Sequence, residues 1–399
     1  DPVWPYDLSG DELTGGYIFR VDKTDDGYTE GYTGFTSRPD PSYPDAKDII
    51  YQYYDPKPDE LADEQKAYLK DAITLAEEVL ISPEFDDPEI GYNHFLNTSS
   101  FVDFMLINEI SKEVDKYRYS SYFYKKKDSN GGEIFAGPIW DFNLGYANVD
   151  YWDFGLSTEG WLFNDVQPVD WSIIFWWKRL MEDPFFAELA RTRWQYLRQD
   201  AFSDAAINHM IDSLTSLIDE ARDRNYDRWT ILGTYVWPNH DWQGNDYADE
   251  VDFFSTWLFD RLTWMDGAMA GSVLHPSAAI RPYGFDGTTY TCLVALEDDY
   301  FTHRRPKPSD FQVIDDAGLQ VVAAEYIDVT KVKLTIDASG GSIPGGTALT
   351  VRVDHSLLNG FRSLQTNQVI VGTAENDVEQ LPVRIHSNRG MLYVNVMSP

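Results

Sequence analysis

The chain has 399 residues, of which 43% are hydrophobic and 15% aromatic, enough to bury a large core over two or three domains. With 66 Asp and Glu against 32 Lys and Arg its net charge is −34, which repels nucleic acid and anionic membranes. A single cysteine, Cys292, excludes an internal disulfide framework, and no apolar run reaches the ~18–20 residues of a membrane span. The acid load fits a salty or calcium-rich extracellular setting, or simple solubility. The chain opens at Asp1-Pro2-Val3-Trp4 with no initiator Met and no visible signal peptide, as a fragment or a processed product does. Its many Trp and Tyr suit core and groove packing, or a stacking platform for sugars or nucleobases.

In chain order, Gly15 to Asp22 reads as a strand. Asp22, Thr24, Asp26 and Gly27 match the first half of a calcium loop, but Thr33 stands where the closing Glu belongs, so an acidic turn is expected. Residues 28–58 wrap the surface around a short strand, Ile49–Tyr54, stopped by Asp55-Pro56-Lys57-Pro58. Asp63–Ile81 is an amphipathic helix ended by Pro83. Asn97-Thr98-Ser99 matches a glycosylation sequon and doubles as a helix cap.

Phe101, Phe104, Met105, Ile107 and Ile110 mark a helix capped by Ser99 or Ser100 and ending near Asp115. Ser121–Tyr124 and Glu133–Ala136 are two strands joined by the turn Asp128-Ser129-Asn130-Gly131-Gly132. This hairpin brings a helix-end acid, Asp115, face to face with a strand-end acid, Asp141. Such a pair can hold a divalent metal and a phosphate chain. On residues alone, Asp115 reads first as a plain polar helix end. In the loop from Asn148 to Val169, the residues Asp150, Trp152, Asp153 and Trp161 shape an acceptor pocket or form ordinary surface.

A helical block follows. Ser172–Glu182 is apolar on nearly all sides, and Asp183-Pro184 opens a helix to about Leu197. Ser203 caps a long helix to about Asn225 with a core face of Ile207, Met210, Ile211, Leu214, Leu217, Ile218 and Ala221; a last helix spans Asp249–Met265. Ala268–Gly287 reads as a linker. Short strands then recur at Thr289–Leu296, Phe311–Ile314, Gln320–Tyr326, Val332–Ile336, Leu349–Val353 and Gln368–Val371, the pattern of an Ig-like β-sandwich. Residues 375–399 are a linker with two further strands.

Asn108-Glu109-Ile110-Ser111-Lys112, Asp115, Ser121-Tyr122-Phe123-Tyr124-Lys125 and Pro138-Ile139-Trp140-Asp141-Phe142-Asn143 resemble the CotH (spore coat protein H) kinase family of atypical protein-kinase-like enzymes. Trp177-Lys178-Arg179-Leu180, Arg193-Trp194 and Trp237-Pro238-Asn239 extend the resemblance through the helical block. It implies a partial kinase-like domain over residues 1–267 with a helical C-lobe; with the linker over 268–287 and the Ig-like all-β sandwich over 288–374 read from composition and strand pattern, the expected fold class is α+β. Most of an N-terminal lobe, with its phosphate-contacting Lys, is expected to be missing. The last residues resemble the start of a C-terminal sorting domain of the type IX secretion route in Bacteroidetes-like bacteria, or are extra sandwich strands.

The resemblance implies that Asp115 is the catalytic-loop acid and Asp141 the metal-binding acid. Asn143 stands where the family often carries a second Asp, and Ser120 where some members carry Asn, which leaves fewer ligands for a second metal. Similar members carry Pro-Lys-Pro at Lys57, so Lys57 is a phosphate contact or a solvated loop lysine. Arg118 steadies a phosphate or pairs with Asp115. The implied cofactors are ATP and Mg²⁺ or Mn²⁺, and the implied partner is a secreted or surface protein with a Ser or Thr acceptor. The alternative is a degenerate kinase-like binding module whose β-sandwich attaches to polysaccharide or a cell surface.

Other chemistries find little support. There is no Gly-x-Ser-x-Gly elbow, no phosphate-loop motif and no Rossmann fingerprint, and no two His lie four apart. A two-carboxylate glycosidase is not excluded by so acidic a chain. Glu109 and Asp115, six residues apart, do not share a helix face.

Overall fold

Buried Tyr17, Phe19 and Val21 alternate with Ile18 and Arg20, a period of two that makes Tyr17–Val21 a strand, β1. The computed structural model describes residues 3–24, 27–302, 305–314, 318–339, 347–371, 383–388 and 391–396, the last two stretches as backbone. They form two units: residues 1–274 with 359–361, and the remainder. In the first unit β1 is the centre of an antiparallel sheet with β2 (Gly34–Ser37), β3 (Ile49–Asp55), β4 (Ser121–Lys125) and β5 (Ile134–Ala136), in the order β2-β3-β1-β4-β5. The expected hairpin is therefore β4–β5. β2 lies in the stretch expected to be irregular: Phe35 is buried against Tyr51, and burial there outweighs the Gly- and Pro-rich composition. Of the expected calcium-loop residues, Asp26 lies outside the described residues.

The helices are α1 (Asp63–Ile81), α2 (Thr98–Ser111), α3 (Asp153–Leu156), α4 (Leu162–Asp165), α5 (Trp176–Leu180), α6 (Pro184–Gln199), α7 (Asp204–Leu217), α8 (Asp219–Arg228) and α9 (Tyr247–Ala268). Asn97, not Ser99 or Ser100, caps α2: its side chain accepts the Ser100 N–H. α2 also stops four residues short of Asp115, because Lys112 adopts a left-handed conformation with φ 44°. Asp115 thus lies in the loop between α2 and β4. Phe101 and Phe104 of α2 stack on Trp177 of α5 at 5.2 and 5.1 Å, and Trp177 meets Tyr117 of that loop at 4.8 Å. Much of the aromatic content is thereby spent on joining the sheet to the helices.

Two expectations for the helical block are corrected. Within Ser172–Glu182 only Trp176–Leu180 is helical, and the Ser203–Asn225 helix is divided at Ile218 into α7 and α8. The expected core face of α7 is not a core face: no residue of α7 is buried, and Met210, Leu214 and Leu217 are 58, 53 and 79% exposed. Helical periodicity specifies an apolar stripe but supplies no element to cover it. Among the described residues no helix is long and apolar enough to cross a membrane.

In the second unit β6 (Ser277–Phe285), β7 (Thr289–Glu297), β8 (Phe311–Ile314), β9 (Gln320–Asp328), β10 (Lys331–Asp337), β11 (Thr347–Val353), β12 (Leu364–Gln365) and β13 (Val369–Val371) form two antiparallel sheets. One has the order β6-β7-β10-β9; in the other β11 pairs with β8, β12 and β13. Tyr290, Cys292 and Val294 of β7, Val332, Leu334 and Ile336 of β10, and Leu349, Val351 and Val353 of β11 share one core. The expected linker over 268–287 is corrected, since most of its second half is β6. Paired with β7 from Ser277↔Glu297 to Phe285↔Tyr290, that segment is held by ladder hydrogen bonds despite its Gly and Pro. β14 (Val383–Asn388) and β15 (Met391–Val396) pair with each other.

In the first unit the centre of the helical packing is an ion pair with both side chains fully buried, Glu109 of α2 with Arg261 of α9 at 3.3 Å. The Glu109 carboxylate also accepts the N–H groups of Leu162 and Phe163 and the Tyr117 hydroxyl. Arg261 donates to the carbonyls of Glu109, Thr158 and Gly160. Arg261→Met leaves Glu109 as a buried, uncompensated charge and is expected to cost about 3–5 kcal/mol, read from the urea unfolding midpoint.

A second buried acid gives a pH test. Burial raises Glu133 to about 7, against which the Lys126 charge, a hydrogen bond from Asn97 and the Lys125 charge act only in part. The folded chain thus holds the proton where the unfolded chain has lost it. The Glu133 contribution to stability is fully present below the ordinary Glu range and is lost as pH rises through about 7. Glu133→Gln mimics the neutral carboxyl, so the variant is expected to gain on the native chain between pH 4.5 and pH 7 in denaturation curves measured across that range.

Candidate functional site

The loop after α2, Lys112 to Ser120, carries Asp115, and the segment after β5 carries Asp141. Seven of the eight described non-glycine residues with positive φ lie in these two segments and their continuation: Lys112, Tyr117, Ser120, Asp141, Tyr146, Ala147 and Trp152. Each such conformation costs free energy, and their concentration in one place marks a site whose geometry is over-determined by its surroundings.

Glu113 does much of that determining. It is 1% exposed, and its two oxygens accept the N–H of Asp115 at 3.2 Å and of Leu144 at 2.6 Å. One carboxylate therefore clasps both acid-bearing segments. Burial pushes the Glu113 carboxyl up, and the two backbone donors push it back. A second tie runs from the Tyr146 N–H to the Ser111 carbonyl at 2.6 Å. It is made possible by Gly145, where an added Cβ would lie 3.0 Å from that same oxygen.

The structure brings Asp115 and Asp141 into one neighbourhood. The Ser120 hydroxyl donates to Asp141 Oδ2 at 3.4 Å. Between the two acids sits Lys116, 1% exposed, whose ammonium donates to the Trp140 carbonyl and lies 4.4 Å from the Phe142 ring centroid. Burial lowers the Lys116 pKa, while Glu113, Asp141, Asp115 and Asp22 raise it. Arg118 does pair with Asp115, donating to Oδ1, and it is 4% exposed. Its guanidinium lies 4.5, 4.4 and 4.5 Å from the ring centroids of Tyr119, Trp152 and Trp171. Trp152 thus packs on the partner of Asp115. Asn143 is exposed, and its carbonyl accepts from the Asn148 side chain at 2.9 Å.

Lys57 falls elsewhere, on the wall of a cavity of about 640 Å³ against the sheet, with Arg20, Lys23, Gln52, Tyr54 and Asp55. Arg20, on the central strand, is held by Gln52, Tyr122 and Asp22 at 3.0, 3.1 and 3.0 Å. The cavity approaches the acid loops at its Lys23 end. Val21 pairs with Ser121, and Lys23 lies 5.7 Å from the Tyr119 ring centroid.

Sequence reasoning overlooked Glu113, Lys116 and Arg20. A run of charges reads as a solvated face, yet Lys112, Glu113, Lys116 and Arg118 are all at most 4% exposed. The available signal was position: this charge-balanced run directly follows a helix with Phe101, Phe104, Met105 and Ile110 buried, and so starts inside the core.

Asp141 and Asn143 offer hard oxygen donors. The exposed Asp141 carboxylate makes no ion pair among the described residues, which leaves it available to a cation. No group of three or more His, Cys, Asp or Glu able to hold a metal occurs among the described residues. Such a set suits Mg²⁺ or Mn²⁺ bound by one or two protein ligands together with phosphate oxygens and waters, and does not suit a closed protein cage.

An antiparallel sheet joined to a helical block, with two acids on adjoining loops, is the arrangement of a kinase-like domain. A family model described as CotH kinase protein matches residues 8–265, and the chain belongs to this family. No curated protein matches it.

The clasp predicts that Glu113→Ala costs roughly 2–4 kcal/mol, the order of two hydrogen bonds to a carboxylate. Amide exchange at Asp115 and Leu144 is expected to accelerate well beyond that at the α2 amides.

Proposed function

We propose that the first unit transfers the γ-phosphate of ATP to a Ser or Thr hydroxyl of a secreted or surface protein. The observation that carries this reading is the Glu113 clasp, which ties the loop of Asp115 to the segment that follows Asp141, around the buried Lys116 ammonium. Phosphoryl transfer asks the protein mainly for positioning and charge neutralisation. The acceptor oxygen bonds to the γ-phosphorus as the bond to the β–γ bridging oxygen breaks, releasing ADP. Asp115 takes the hydroxyl proton on Oδ2, since Oδ1 is held by Arg118. Asp141, with Asn143, would hold the divalent ion, which when bound neutralises phosphate charge. The cavity lined by Arg20, Lys23, Tyr54 and Lys57 is the proposed nucleotide pocket, with Tyr54, 47% exposed, offering a ring for the base.

The small ligand set at Asp141 favours a second reading, a kinase-like binding module that no longer catalyses. In either reading the second unit is proposed as an Ig-like sandwich that attaches to a polysaccharide or a cell surface.

Calorimetry of ATP with Mg²⁺ or Mn²⁺ tests both readings. The chain is expected to bind nucleotide only with metal, and Asp141→Ala to lose that binding. Asp115→Asn is expected to keep nucleotide binding and to lower phosphate transfer by about 10²–10⁴-fold in a labelled-ATP assay. Absence of nucleotide binding would sink the phosphotransferase reading and leave the binding module.

A further inference from the structure

The charge needed against a transferring phosphate comes from two metal ions, or from one ion and fixed protein cations. The carboxylates here leave ligands for one ion. Both Glu113 oxygens are taken by the Asp115 and Leu144 N–H groups, and Asp115 Oδ1 is taken by Arg118. Asp115 Oδ2 is kept in the proposed reaction for the acceptor proton, which leaves Asp141 and Asn143.

Lys116 lies beside Asp141. Its ammonium hydrogen-bonds the carbonyl of Trp140 and lies against the Phe142 ring, so it touches the residues on both sides of Asp141. It follows Asp115 directly in the chain. An ammonium has three donors. Among the described residues one is used, by Trp140, which leaves two for phosphate oxygens. Four acids, Glu113, Asp141, Asp115 and Asp22, balance the buried charge. Any second divalent ion there would meet the ammonium's own positive charge.

We propose that Lys116 is the second cation of the site, so that each chain takes a single divalent ion with its nucleotide. This rests on the phosphotransferase reading. Lys116 acts as a point charge on the phosphates, a role suited to a compact ammonium.

The test is a Mn²⁺ titration of the full chain with a non-hydrolysable ATP analogue, with bound ion counted by electron paramagnetic resonance. One Mn²⁺ per chain is expected. Two per chain would overturn the inference and leave the phosphotransferase reading standing. No nucleotide-dependent Mn²⁺ would overturn both. Lys116→Met, shown to be folded by circular dichroism, is expected to bind the analogue with its metal at least tenfold more weakly; unchanged affinity in that folded variant would also overturn the inference.

Discussion

Glu109 is a carboxylate that cannot reach water. Its side chain and that of its partner Arg261 are both fully buried, so every donor around them must come from the protein. Those donors come from three places: Tyr117 in the loop after α2, the Leu162 and Phe163 amides at the start of α4, and Arg261 on α9. Arg261 in turn fastens the carbonyls of Thr158 and Gly160. Satisfying one buried charge thus fixes where the loop after α2, the segment before α4 and the last helix of the unit meet. Buried pairs are weak contributors to net stability, because desolvation opposes the attraction. What this pair supplies is geometry: the observed packing of α2 against α9 gives both charges their partners.

That fixed frame lets the two acid-bearing segments carry strain. Tyr117 sits at φ 64° and Ser120 at φ 47°, conformations that an isolated loop would relax. Tyr117 is held by the Glu109 bond and by Trp177, while Lys112 at φ 44° is tied by its ammonium to Asp165 at 2.9 Å. Glu113 then passes the constraint across to Leu144. Asp141, at φ 62°, stands out toward solvent on a backbone that its neighbours hold still. A carboxylate placed this way loses little freedom when it takes a ligand, which is the physical meaning of preorganisation at such a site.

How legible this is from sequence depends on the range of the forces involved. The β4–β5 hairpin, α1 and the strands β7 to β11 follow from periodicity and turn chemistry, both local. Asp115 and Asp141 are legible as a pair because the hairpin between them is. β6 is not, since its Gly and Pro argue for a linker and only its ladder with β7 makes it a strand. The same holds for Glu109, whose partner Arg261 lies 152 residues away, and for Lys116, whose burial depends on segments before and after it. The α7 stripe fails in the opposite direction: of a strong local pattern only Ile207 packs against the core, and Met210, Leu214 and Leu217 stay exposed.

Charge explains why the buried cations matter most. A chain of net charge −34 repels a nucleoside triphosphate at long range, although physiological salt screens this over ~8 Å. Attraction must therefore come from close contacts within the site. Three of the buried basic residues, Lys112, Lys116 and Arg118, lie in one seven-residue stretch. Arg20, Lys23 and Lys57 line the adjoining cavity. The acids cover the outside, and part of the scarce positive charge is drawn to the place where the two strained loops meet. A low local dielectric strengthens each of those charges there relative to the screened surface, which is what the proposed function asks of a short-range site for a polyanion that the molecule as a whole repels.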